Sequence, residues 1–215
     1  MVTSRREGEI QDFLAEELRK MGFFEEVYSR INLASRKYYE HWRKWWKDEY
    51  PPYAQPEIDL LLVDRYRRLL AVEVKYFKPK QVTYYAGIEQ ALALLNFGFF
   101  SVSLWHCFPD EISLGEIERC GYNVGELIRH LKLPLNFSTI SITKVRGRFQ
   151  FKEIKPGISL EDSRLPSPYG TENPLWNTER AKRAEEFLRM ALKIPHPKPS
   201  VEERLKAIRR KQGDL

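Results

Sequence analysis

Glu57-Ile58-Asp59-Leu60-Leu61-Leu62-Val63, followed beyond Arg65-Tyr66-Arg67-Arg68 by Leu69-Leu70-Ala71-Val72-Glu73-Val74-Lys75-Tyr76-Phe77, is the stretch that decides the fold. Both runs are apolar and of strand length, and the polar link between them suits a hairpin, so they read as antiparallel neighbours. Side chains two apart on a strand share a face, which sets Glu73 beside Lys75. Asp59 is a lone acid at the start of the partner strand, and its expected neighbour across the ladder is the Glu73 region. Charges inside apolar strands are costly unless they are paired, metal-bound or at an exposed end. Two carboxylates and a backbone carbonyl, such as that of Val74, make the oxygen set that Mg2+ or Mn2+ takes. Lys75 beside them can orient or deprotonate water and stabilise charge growing on a phosphorus. Glu-x-Lys alone is most often a surface ion pair. Its weight here comes from the acid on the preceding strand, the acidic helix before it and the apolar helix after it.

Working outward, Ile10, Phe13, Leu14, Leu18 and Met21 recur at helical spacing before Gly22, which predicts a helix over Arg5 to Met21. Phe23 to Leu33 reads as a first strand, and Arg36 to Tyr53 as a basic, aromatic stretch ending at Pro51 and Pro52. Downstream, Val82 to Leu95 has a helical period, and Phe99 to Phe108 follows Gly98 as a buried strand. Ser113 to about Leu131 reads as helical, with Gly121 a point where a break is left open, and Ser138 to Ile154 as a second hairpin turning at Arg146-Gly147. The expected architecture is an α/β domain over residues 1–155, with a central mixed β-sheet flanked by helices. Residues 156–215 read as a proline-containing linker and helical C-terminal extension, with helices at Thr178 to Leu192 and Ser200 to Lys211.

The chain has 215 residues, 42% of them apolar and 13% aromatic, which is enough for a full core. Lys and Arg number 36 against 30 Asp and Glu, a net charge of +6 that favours polyanionic partners without requiring them. Cys107 and Cys120 give neither a disulfide framework nor a Cys/His zinc pattern, so a reducing cytoplasm is the expected compartment. The amino terminus lacks the apolar stretch of a secretory signal, and the apolar run Ala91 to Phe108 is interrupted by Asn96 and Gly98, so no membrane is expected.

Pro56-Glu57-Ile58-Asp59, a hairpin and then Glu73-Val74-Lys75 resembles the PD-(D/E)xK motif of the restriction endonuclease-like superfamily. The order helix, three-strand meander, helix, strand from Arg5 through Phe108 is similar to that family's core. The resemblance implies a metal-dependent nuclease hydrolysing DNA phosphodiester bonds in repair, recombination or restriction. It implies Asp59, Glu73 and Val74 as ligands of Mg2+ or Mn2+, with Lys75 as the catalytic cation. It further implies a ligand acid from the first helix, for which Glu9 is the favoured candidate and Glu16 and Glu17 are alternatives. RecB-like members also carry a Gln and a Tyr on the second helix. Gln90 is the favoured match, with Gln81, Tyr84 and Tyr85 as others. Pro56 precedes Asp59 by three positions rather than one, which leaves the RecB-like and archaeal resolvase-like branches both open.

Arg36, Lys37, Arg43, Lys44 and Lys47 are interleaved with Tyr and Trp, a mixture that can meet phosphates and bases, and Tyr85 joins them as a nucleic-acid contact. Tyr38, Trp42 and Trp45, however, form an i, i+4, i+7 stripe that reads first as packing on the core or a subunit, with the cations on the opposite face. The cations of the carboxy-terminal helices alternate with Glu, as on a solvated face. His106 and Cys107 read as buried packing without chemistry. DNA is the expected partner, and a homodimer is left open. A non-catalytic nucleic-acid-binding protein and an assembly protein on the same fold are the competing readings.

Overall fold

The computed structural model describes residues 5–33, 35–46, 57–80, 83–146, 148–154 and 165–196. Helix α1 (Arg5–Met21) leads into β1 (Phe24–Asn32), α2 (Arg36–Trp45), β2 (Glu57–Asp64) and β3 (Leu69–Tyr76). Then come α3 (Ile88–Leu94), a short 3-10 turn (Leu95–Phe97), β4 (Ser101–Pro109), α4 (Leu114–His130), β5 (Asn136–Val145), β6 (Arg148–Ile154) and α5 (Glu179–Leu192). The strands form one mixed sheet in the order β1-β2-β3-β4-β5-β6. β3-β4 and β4-β5 are parallel and the remaining pairs antiparallel. The α/β class expected from the sequence is the one observed.

Strand alternation divides the core in two. On one face Leu60, Leu62, Leu70, Val72, Val74, Trp105 and Cys107 pack against Ile10, Leu14 and Leu18 of α1. On the other, Leu61, Val63, Leu69, Ala71, Val102 and Leu104 meet α2, α3, α4 and α5. β4 is buried along its whole length, as a strand covered on both faces by helices must be.

Three elements differ from expectation. The helix predicted from Val82 begins only at Ile88, because Gly87 sits at φ 84°, outside the helical region, after a turn over Tyr84 to Gly87. α4 runs unbroken through Gly121, which faces Thr139 of β5. α5, expected within a C-terminal extension, returns to the core: Phe187 and Leu188 are fully buried, and Trp42 contacts the Phe187 ring edge-on at 5.0 Å. Gly98, at φ 72°, admits α5, since a Cβ there would lie 2.5 Å from the Ala181 carbonyl oxygen. The helix predicted at Ser200 to Lys211 lies outside the described residues.

Candidate active site

The β2-β3 ladder runs from Val63↔Leu69 to Leu60↔Val72 and stops, whereas β2 remains paired with β1 as far as Asn32↔Glu57. The sheet therefore opens between β2 and β3 at Asp59. The Asp59 carboxylate enters this gap, and its Oδ2 accepts a 2.7 Å hydrogen bond from the Val74 N–H. The Leu69 carbonyl accepts from Phe100 and the Phe77 N–H donates to Cys107, so odd-numbered residues of β3 turn their backbone groups toward β4. By alternation those of Val74 turn toward β2, and its carbonyl faces the same gap as its amide. Asp59 and Glu73 stand opposite one another by extension of the register, on the face that also bears Lys75.

Asp59 and Glu73 are buried and Lys75 is half-buried. Asp59 is 6% exposed and Glu73 3%, and Lys75 Nζ lies 2.7 Å from Glu73 Oε1. Burial, followed by repulsion from Glu73, holds the Asp59 carboxyl well above the usual carboxylate range against the opposing effect of the Val74 hydrogen bond. Burial also raises Glu73, and Lys75 offsets only part of that. Burial alone would lower Lys75, but Glu73, then Asp59 and Glu7, carry it above its ordinary value. The buried acids therefore outnumber the cation beside them.

The acid supplied by α1 to this field is Glu7. It repels Asp59 and Glu73 and favours the Lys75 cation. Glu9, the favoured candidate from sequence, is exposed, as is Glu16, and Glu17 pairs with Lys20 at 2.5 Å. Helix docking explains the choice. Gly8 lies against Arg30, where a Cβ would be 3.1 Å from the guanidinium carbon, and Arg30 is the β1 residue opposite Asp59 in the register. In this first turn of α1, Glu7 is half-buried and Glu9 exposed.

Gln90 is half-buried on α3, and among the described residues no hydrogen bond joins it to Asp59, Glu73 or Lys75. Tyr84 packs against the core, Tyr85 is 53% exposed, and Gln81 and Pro56 lie outside the described residues. Gly87 meets the Lys75 stem instead: a Cβ there would sit 2.8 Å from Lys75 Cγ and 2.9 Å from Cε. Neither Glu7 nor Gly87 is distinguished in the sequence by periodicity, because both act through how a helix or turn docks on the sheet.

Arg36, Lys37, Arg43 and Lys44 are exposed on α2, whereas Trp42 is buried and Tyr38 and Trp45 pack on the core as the stripe predicts. α2 follows the end of β1 that pairs with Glu57, so it starts at the end of the sheet that carries Asp59. Lys47 lies outside the described residues. His106, fully buried, contacts Cys120 rather than its neighbour Cys107. Burial pushes the Cys120 thiol up to about 12 and lowers His106 to about 4, so both groups favour their neutral forms.

Among the described residues no set of three or more His, Cys, Asp or Glu side chains is arranged to hold one metal ion. None of the described helices is long and apolar enough to cross a membrane. No family model and no curated protein matches the chain. A solved structure of Pyrococcus furiosus SfsA in complex with Ca2+ aligns with 45% of this chain at 13% identity and a TM-score of 0.28, an overlap too loose to bear on fold or function. The chain spans about half of that protein, 48% of its length.

Proposed function

We propose that the chain is a metal-dependent nuclease that hydrolyses DNA phosphodiester bonds at Asp59, Glu73 and Lys75. The observation that carries this reading is the gap in the sheet, where two buried carboxyls repel one another beside a single lysine. Perturbed acids of this kind concentrate at functional sites. The donors suit a hard divalent cation that keeps part of its shell for water and phosphate: Asp59, Glu73 and the Val74 carbonyl would hold it. When bound, Mg2+ or Mn2+ would supply Lewis acidity toward a phosphoryl oxygen and toward an attacking water.

The chain's own groups divide the remaining work. The Val74 amide orients the Asp59 carboxylate by its 2.7 Å bond. Glu73 holds Lys75 at the gap. Lys75, kept cationic by Glu73, Asp59 and Glu7, stabilises negative charge on the reacting phosphate rather than taking a proton from water. The exposed cations of α2, which starts at the end of the sheet that carries Asp59, meet the DNA backbone. Lys75→Ala tests the assignment: metal-dependent cleavage is lost while DNA affinity in EDTA stays near wild type. Undiminished cleavage by that variant contradicts it, and tight binding without cleavage by the wild type favours a non-catalytic binder.

A further inference from the structure

His106 faces Lys75 across the parallel β3-β4 register, and its ring is enclosed edge-on by Phe77 and Phe137, each with its centroid 4.9 Å away. Its Nε2 lies 2.9 Å from the Ala86 carbonyl oxygen, which can only accept, so Nε2 carries the hydrogen. In a neutral imidazole Nδ1 is then an acceptor, and the Cys120 thiol, 3.6 Å away, donates to it. Both nitrogens are satisfied without a charge, consistent with a pKa lowered by burial and further by the Lys75 cation. Ala86 directly precedes Gly87, which abuts the Lys75 stem.

We propose that His106 is a positioning residue for Lys75: held by Cys120 on one nitrogen, it anchors the Ala86 carbonyl with the other and keeps Gly87 seated against the lysine stem. The chain of contacts is Cys120 to His106, His106 to Ala86, Gly87 to Lys75 and Lys75 to Glu73. A long lysine stem has many rotamers, and the Gly87 backbone packed against the stem reduces their number. Its value for catalysis rests on the proposed nuclease, but the positioning itself is a property of the protein without metal or DNA.

The test uses the lysine ammonium 15N–1H spectrum of the full-length, metal-free protein, in which an ion-paired, protected ammonium is observable and Lys75→Arg assigns its signal. Gln at position 106 can place an amide N–H where Nε2 stands, whereas Asn reaches only the Nδ1 position and Leu offers no donor. His106→Gln is expected to keep the Lys75 signal, and His106→Asn and His106→Leu to lose it. With Mg2+, His106→Asn is expected to lower kcat by about 100-fold with KM unchanged, the scale of a misplaced catalytic group. A Lys75 signal unchanged in folded His106→Leu overturns the proposal, as does equal behaviour of the Gln and Asn variants should the Leu variant not fold. A wild type without the signal overturns it as well, since no ammonium would then be held. If the signal moves as expected while the wild type cleaves nothing, His106 keeps its role and the nuclease reading fails.

Discussion

At the scale of single residues, a carboxyl that folding holds above its ordinary pKa binds its proton more tightly in the native chain than in the unfolded one, as Asp59 and Glu73 do. Native stability therefore falls as pH rises from about 4 upward through the raised values, because the unfolded chain releases protons that the native chain retains. Asp59→Asn keeps an oxygen for the Val74 amide and removes the repulsion, so it should melt at a higher temperature than wild type near pH 7 and lose less stability between pH 4 and 7. Thermal melts across that range check this, and an Asn variant less stable at neutral pH contradicts it. Mg2+ at about 100 times its Kd should return about 2.7 kcal/mol to the wild type and little to the variant. The residues of this site that follow strand period two, Asp59, Glu73 and Lys75, were legible in the sequence. Glu7 was not: the sequence favoured Glu9 over Glu16 and Glu17, and only the packing of α1 on the sheet shows which acid of the helix acts on the site.

At the scale of elements, α2 joins two surfaces with different physics. Trp42 stacks on Phe97 at 5.6 Å and meets Phe187 edge-on, so Trp42→Ala should cost about 3–5 kcal/mol of stability, measurable by denaturant unfolding. Arg43 and Lys44 point to solvent, and reversing both to Glu should leave the melting temperature nearly unchanged. If they meet phosphate, the reversal weakens DNA binding and reduces the salt dependence by about one for each cation, and an unchanged salt slope removes α2 from the DNA surface. The i, i+4, i+7 spacing of Tyr38, Trp42 and Trp45 made the packed face legible. The start of α3 was not, because the apolar period before Gly87 continues through residues that form a turn, and only the positive φ of Gly87 marks the boundary. The unbroken path of α4 through Gly121 was hidden because a single glycine weakens a helix without ending it, and Ile117, Cys120, Val124 and Ile128 on either side are held in the core.

At the scale of the whole molecule, the two hairpins and the buried strand between them are visible in the sequence pattern, whereas the parallel pairing of β4 with β3 and β5 depends on long-range packing. The packing of α5 does not follow, since its alternating Arg and Glu suit a solvated helix equally well. Its docking depends on distant partners: Phe187 on Trp42, Ala181 on Gly98, and the buried Arg189 guanidinium donating to the Arg67 carbonyl at 2.7 Å. A chain ended at residue 155 would uncover Trp42 and Phe97, and it should lack a cooperative melt. A cooperative melt like that of the full chain would mean that α5 is dispensable to the core. The gap at Asp59, by contrast, depends on β1, β2 and β3 together and gives the molecule its one proposed chemistry. The measurement that tests this most directly is cleavage of labelled duplex, single-stranded, flapped and four-way-junction DNA in Mg2+, Mn2+ or EDTA, by wild type and by Asp59→Ala. The wild type is expected to cut at least one substrate, with cutting abolished by EDTA and by the substitution; cutting that persists in either case, or none by the wild type on any substrate, would contradict the nuclease assignment.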